Sequence, residues 1–266
     1  MPRSITAFSN PLVKRVRALR EKRHRRDEGL FLAEGLRILA EAEEAGTLPD
    51  YLFFAADSAQ HPIVRRLTAA VEARGGEAIE TSRDILHKLS GKDNPQVVLG
   101  VYRQFDTSLD RIDRTSAGIW LVAQAMRDPG NLGTMLRTGD AVGAGGLILI
   151  DDTVDPFSVE AVRASMGALF TQRIAQARWD EFLPWLRGGP GQLVGLSLDT
   201  AADYRDPIYM PPTFLMVGNE AQGLPPDYAA ACDLRVKIPM LGKADSLNAA
   251  ISAAVMAYQV LGQRRG

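Results

Sequence analysis

The sequence predicts an α/β protein whose second half is built on a parallel sheet, and three observations carry that prediction. Short apolar runs bounded by turn residues recur along the chain, among them "YLFFA", "GLILI" and "TFLMVG". Segments with the three-to-four-residue apolar spacing of helices lie between most of them, as parallel strands require. An apolar share of 46% with 24% charged residues over 266 positions is enough to bury a real core. The length fits one large domain or two ordinary ones.

Taken in order, "NPLVKRVRALREK" predicts a first helix with Leu12, Val16 and Leu19 on one face. "GLRILAEAEEAG" predicts a second, closed by Gly46. "YLFFA" is a buried strand, and "HPIVRRLTAAVEARGG" is a helix stopped by its glycines. "EAIET", "SRDILHKLSG" and "VVLGVYR" add a strand, a capped helix and a strand. These make a first α/β domain over residues 1–104. The polar stretch "QFDTSLDRIDRTSAG" predicts a linker over 105–117. A second domain over 118–266 then follows, with strands at "IWLVAQ", "GLILI", "TQRIA", "QLVGLSL", "TFLMVG" and "RVKIPM". The last helix, "DSLNAAISAAVMAYQVLGQRR", sets Leu247, Ile251, Val255 and Tyr258 on one stripe and is rich in small residues.

Composition narrows the function classes. The single cysteine, Cys232, excludes an intramolecular disulfide and argues against an extracellular scaffold. His24, His61 and His87 form no recognised metal spacing, so no metal is expected. No apolar run is long enough for a membrane span, and the basic N-terminus has no apolar core of a secretory signal. A cytoplasmic protein is the expectation. Net charge is −1, but residues 1–30 carry nine Lys and Arg against three Asp and Glu. Such a stripe fits a phosphate-backbone footprint and a solvated helix equally well.

Three segments at strand ends concentrate glycine and polar residues. In "DPGNLGTMLRTGDAVG" a Pro-Gly turn enters a helix at Asn131, with Leu132, Met135, Leu136 and Val142 on its buried side. Arg137 follows six residues later, roughly 9 Å along a helix axis. An amide and a guanidinium so spaced can grip a phosphodiester and a nearby hydroxyl, or they can be an N-cap and a surface residue. In "VGNEAQGL" an apolar strand runs into Gly218, where a ligand can approach the backbone, and then into Glu220. In "IPMLGKADSLNAAISAA" a strand ends at a turn and a helix begins near Ser246, the expected N-cap, with Asn248 in its first turn.

In this order and spacing the three segments resemble the signature motifs of the SpoU-type (TrmH-like) RNA 2′-O-ribose methyltransferases of the SPOUT superfamily. The resemblance covers about residues 118–262. "RRDEGLFLAEGLRILAEAEEAG" is similar to the small ribosomal-protein-like substrate-binding domain that many members carry. The resemblance implies a trefoil-knotted parallel sheet that binds S-adenosyl-L-methionine at Gly218, Ile238 and Leu247. It implies a polar catalytic set of Asn131, Arg137, Glu220, Ser246 and Asn248. It also implies a homodimer, served by the last helix, that modifies ribosomal RNA, with transfer RNA or a catalytically silent RNA-binding module as alternatives. The basic stripe then becomes an RNA contact, through Lys14, Arg15, Arg23, Arg25 and Arg26. Arg137 is often cast as proton acceptor in this family. A guanidinium with a pKa above ~12 is physically better suited to clamp a phosphate. Water, a phosphate oxygen or Glu220 is then left as the base.

Overall fold

A computed structural model describes residues 2–91 and 95–265, the side chain of residue 265 excepted. The chain divides into two compact units, Met1–Phe105 with Asp155–Thr171, and Asp106–Val154 with Gln172–Gly266.

The first unit starts with β1 (Arg3–Ile5), α1 (Pro11–Ala18) and α2 (Lys22–Glu28). Asn10 caps α1 by accepting from the Leu12 N–H at 2.9 Å, and Pro11 starts the helix without wasting a donor. The helix expected over "NPLVKRVRALREK" thus ends at Ala18, and α2, which the sequence reading did not include, begins at Lys22. The carbonyls of Leu19 and Arg20 accept from Arg25 Nη1 at 2.9 and 2.7 Å, which holds a turn between α1 and α2. There follow β2 (Leu30–Glu34), α3 (Leu36–Glu44), β3 (Tyr51–Ala55), α4 (Pro62–Ala73), β4 (Glu77–Thr81), α5 (Arg83–Ser90) and β5 (Val98–Arg103). The strands form one sheet in the order β1-β4-β3-β5-β2. β1, β4 and β3 run parallel, and β5 is antiparallel to both neighbours. Val13, Val16 and Leu19 join Phe53, Ile79, Leu86 and Val101 in its core.

The second unit opens with residues 106–117. These do not hang free as the expected linker does: Ile112 is buried, the Arg114 guanidinium stacks on the Trp185 ring at 4.0 Å, and the Gln176 N–H donates to the Thr107 carbonyl. β6 (Ile119–Gln124), α6 (Pro129–Val142) and β7 (Gly146–Ile150) come next. The chain then contributes α7 (Val159–Ala164) and α8 (Ala168–Thr171) to the first unit, although the sequence reads as a continuous second domain there. It resumes with β8 (Arg173–Ala177), α9 (Trp179–Arg187), β9 (Gln192–Leu196), β10 (Thr213–Val217), α10 (Pro226–Ala230), β11 (Leu234–Val236) and α11 (Ala249–Arg265). The six strands are all parallel, in the order β11-β9-β10-β6-β7-β8. Trp120 and Phe214 stack at 6.1 Å inside the core, and each buried ring of this size is worth roughly 1.5–3 kcal/mol of burial. Parallel order sends the loops after β6, β9, β10 and β11 to one edge, where ligands of open α/β sheets bind.

Two groups of side chains decide how the expectations stand, and one of them, Arg25, is a correction. α11 buries its alanine face, Ala250, Ala253, Ala257 with Met256 and Val260, whereas Leu247, Ile251 and Tyr258 are exposed. Of the expected stripe Ile251 and Tyr258 thus face outward, Val255 is half-buried and Leu247 precedes the helix, while the small residues let α11 lie close against α6 and β10. Arg25, expected to contact RNA, is only 3% exposed. Its remaining donors, Nε and Nη2, hold Asp155 Oδ2 at 3.1 and 2.6 Å, so its guanidinium has no free face to offer. Arg25→Ala is expected to destabilise the full chain by about 3 kcal/mol or more, since it leaves a mostly buried carboxylate unpaired. Arg26→Ala, at an exposed position, should stay within about 0.5 kcal/mol. Equal denaturation midpoints for the two variants would contradict the assignment.

Candidate active site

α6 begins where the sequence says, but its cap is Asp128. The Asp128 Oδ1 accepts from the Asn131 backbone N–H at 2.7 Å, and Pro129 occupies the first helical position. Asn131 is therefore no N-cap, and its amide is free for other work. Its Nδ2 donates to Glu220 Oε1 at 2.9 Å, and its Oδ1 accepts from Asn248 Nδ2 at 2.8 Å. A chain Asn248–Asn131–Glu220 thus joins the three motif segments.

The backbone is bent to complete this chain. Ala125, just past β6, has φ of +47°, a left-handed conformation costly for a residue with a side chain. The turn brings the Arg127 and Asp128 N–H groups to Glu220 Oε2 and Oε1, both at 3.4 Å. Asn219 ties the two loops together. Its Nδ2 donates to the Ala125 carbonyl at 2.8 Å, and its Oδ1 accepts from the N–H groups of Ala221 and Gln222. Neither Asp128 nor Asn219 stood out in the sequence, though Asp before Pro-Gly is a standard N-cap signal that marks the first.

Burial alone would raise the Glu220 pKa. The bond from Asn131 and those from the backbone N–H groups of Glu220, Arg127 and Asp128 outweigh it, and the carboxyl lies below its usual range. A carboxyl depressed in the folded protein adds stability above its unfolded pKa, and that stability is lost as pH falls through the folded value. Glu220 is hence ionised throughout the neutral range. The single-turnover rate should show no acid limb from this group above about pH 5. An inflection between about pH 5 and 7 that vanishes in Glu220→Gln would contradict this.

Arg137 is exposed, and among the described residues it has no hydrogen-bond or ion-pair partner. Leu132, Met135 and Leu136 bury the other face of α6, so the guanidinium is presented to solvent on a rigid support. Asn248, expected inside the first turn of the last helix, instead caps it. Its Oδ1 accepts from the N–H groups of Ala250 and Ile251 at 2.9 and 3.2 Å, and α11 starts at Ala249. Ser246, the expected cap, lies two residues earlier and is exposed.

Beside this cluster is a cleft of about 590 Å³, formed by the loops after β9, β10 and β11 and the start of α11. Gly218, Ile238 and Leu247 line it, as do Glu220, Ser246 and Asn248. Leu196, Val217 and Met240 add apolar wall that sequence reasoning did not single out. β11 ends at Val236, two residues ahead of Ile238, which lets the segment after it turn along the cleft. Gly218 has a reason other than ligand approach: a Cβ there would stand 2.2 Å from the Gly223 carbonyl carbon, so its missing side chain makes room for the loop itself. Among the described residues no group of three or more His, Cys, Asp and Glu is arranged to hold a metal, and no helix is long and apolar enough to cross a membrane. Cys232 is half-buried and its pKa is pushed up by burial to about 11, which keeps the thiol protonated.

Of the expected RNA contacts in the first unit, Lys14, Arg15, Arg23 and Arg26 are exposed. Arg15 is paired with Glu28, and Arg23 with Asp27 at 3.7 Å.

A model described as the SpoU rRNA Methylase family matches residues 118–258, and one described as an MRM3-like substrate binding domain matches residues 10–100. The chain is 32% identical, over 92% of its length and 86% of the relative's, to a 23S rRNA (uridine(2479)-2′-O)-methyltransferase of Streptomyces viridochromogenes. It is 28% identical, over 98% of its length and all of the relative's, to the 23S rRNA (guanosine(2553)-2′-O)-methyltransferase RlmP of Bacillus subtilis (strain 168). The crystal structure of an AdoMet-bound rRNA methyltransferase from Sinorhizobium meliloti superposes with a TM-score of 0.90 at 38% identity, covering 99% of this chain and 97% of that one.

Proposed function

This chain belongs to the SpoU rRNA methylase family and is an RNA 2′-O-ribose methyltransferase; we propose that it methylates ribosomal RNA, with S-adenosylmethionine as donor. The observation that carries the reading is the Asn248–Asn131–Glu220 chain standing at the edge of the 590 Å³ cleft.

The cleft fits that donor. Apolar walls at Val217, Ile238, Met240 and Leu247 suit an adenine and a thioether stem, and the surrounding loops offer backbone polar groups. Gly218, Ile238 and Leu247 would hold the cofactor, which supplies, when bound, a methyl group already activated on sulfonium. The protein's own task is alignment, worth up to roughly 7–11 kcal/mol in well-oriented systems. Asn131 has a single amide orientation, fixed by a donor on one side and an acceptor on the other. Glu220 is an acceptor-only carboxylate steadied by N–H groups. Arg137 meets the phosphate beside the acceptor ribose and turns the 2′-hydroxyl toward the cleft. The hydroxyl itself selects RNA over DNA.

The exposed Ile251 and Tyr258, seven residues apart on the outer face of α11, support a homodimer. A cytoplasmic enzyme follows from a ribosomal substrate. The test is to methylate ribosomal RNA with the purified protein and digest it to nucleosides. A methyl group on ribose is the expected result, and one on a base nitrogen would overturn the reading.

A further inference from the structure

Residues 150–154, the end of β7 and the loop after it, are bonded along the turn between β6 and α6. The Ala125 N–H donates to the Ile150 carbonyl at 3.0 Å, and the Val154 N–H to the Met126 carbonyl at 2.8 Å. Between these backbone bonds two carboxylates reach the same turn. Asp151 Oδ2 accepts from Gln124 Nε2 at a long 3.5 Å, and Asp152 Oδ2 accepts from Arg127 Nη1 at 2.7 Å. Resting on the reading that Asn131 and Glu220 serve methyl transfer, we propose that Asp151 is a positioning residue of that reaction, acting through this turn and through Tyr228 on the placement of Glu220.

Asp151 joins three elements. Its Oδ1 accepts from the Trp179 backbone N–H at the start of α9, at 2.9 Å, and its Oδ2 accepts from the Tyr228 hydroxyl at 2.8 Å as well as from Gln124. The Tyr228 ring lies on the Trp179 ring at 3.9 Å with the planes 11° apart, which fixes the direction of the phenol. Tyr228 is on α10, in the segment between β10 and β11 that also carries Glu220. One carboxylate is thus bonded to the residue before the Ala125 turn and to the segment of Glu220, the two parts that meet at the Asn131–Glu220 bond.

The chain would not keep this arrangement unaided. Ala125 at +47° and Asp151 at +65° both hold a left-handed φ without being glycine, and such residues persist where surrounding contacts over-determine them. Gln124 is buried, and its Oε1 has no hydrogen-bond partner. A carboxylate only accepts, so Asp151 decides which end of that amide faces it. The Arg127–Asp152 pair is exposed on both sides and contributes little, which leaves the weight on Asp151. Neither Asp151 nor Tyr228 lines the cofactor cleft. Their effect is on alignment, where a displacement of about 1 Å can cost about a hundredfold in rate.

The test is a mutant cycle on the full chain, read as single-turnover methyl transfer at saturating RNA and S-adenosylmethionine. Asp151→Asn keeps the size and tolerates left-handed φ as aspartate does, but it sets an NH₂ group against Tyr228 and Gln124. It is expected to slow transfer about tenfold, with the dissociation constant for S-adenosylmethionine within about twofold of parental. Tyr228→Phe keeps the ring stack and is expected to slow transfer about threefold; it decides the matter alone if Asp151→Asn does not fold. In a Glu220→Gln background either substitution should cost less than about twofold more, because the group being positioned is already gone. A loss of folded protein would instead multiply through undiminished. Parental rates in the single variants, or undiminished losses in the Glu220→Gln background, would overturn the proposal while the catalytic reading of Glu220 stands. A parental rate in Glu220→Gln itself would overturn that reading and the proposal with it.

Discussion

Arg137→Lys is expected to fold as the parent does and to lose about a hundredfold or more in single-turnover methyl transfer at saturating RNA. The side chain is exposed and unpartnered among the described residues, and the packing face of α6 is elsewhere, so little of the fold depends on it. Stability should move by no more than about 0.5 kcal/mol. Lysine retains the positive charge but not the planar fork that holds a phosphate at two points. If charge alone sufficed, the variant would be nearly as fast as the parent. Matched quench-flow rates would therefore remove Arg137 from the orienting set.

Glu220→Gln is expected to be about as damaging, for a different reason. The carboxylate oxygens accept from Asn131 Nδ2 and from two backbone N–H groups. A glutamine keeps one acceptor oxygen and turns an NH₂ group toward donors on the other side. One of the loops must then move, and the Asn131 amide loses the partner that fixes its orientation. Rates about a hundredfold below parental are expected, with the fall in kcat and not in RNA affinity. Near-parental kcat would mean that this network only supports the loop.

Much of this was legible in the sequence because it follows from local rules. Four of the six strands of the parallel sheet, β6, β7, β9 and β10, coincide with apolar runs, β8 and β11 overlap the expected segments only in part, and Leu132, Met135, Leu136 and Val142 are buried as their spacing requires. The polar set was legible only as three separated motifs; that Asn131 bonds to both Glu220 and Asn248 is a fact of tertiary structure across 89 and 117 residues of chain. What periodicity misread has clear causes. β1 is three residues long, too short to show a pattern, and β2 is four apolar residues and a glutamate with no alternation, between helical segments. Which face of α11 turns inward was not legible from its stripe of large apolar residues; the alanines, with Met256 and Val260, are the buried face. Arg25 looks like its exposed neighbours until Asp155, 130 residues away, is beside it.

The proposed site has an acceptor side, Asn131 and Arg137, and a cofactor side, Gly218, Ile238 and Leu247. Calorimetric titration of S-adenosylmethionine into Arg137→Lys tests that division most directly. A dissociation constant within about twofold of the parent's, in a variant that has lost turnover, is the predicted result. Affinity weakened about tenfold or more would put Arg137 on the cofactor side and contradict the division.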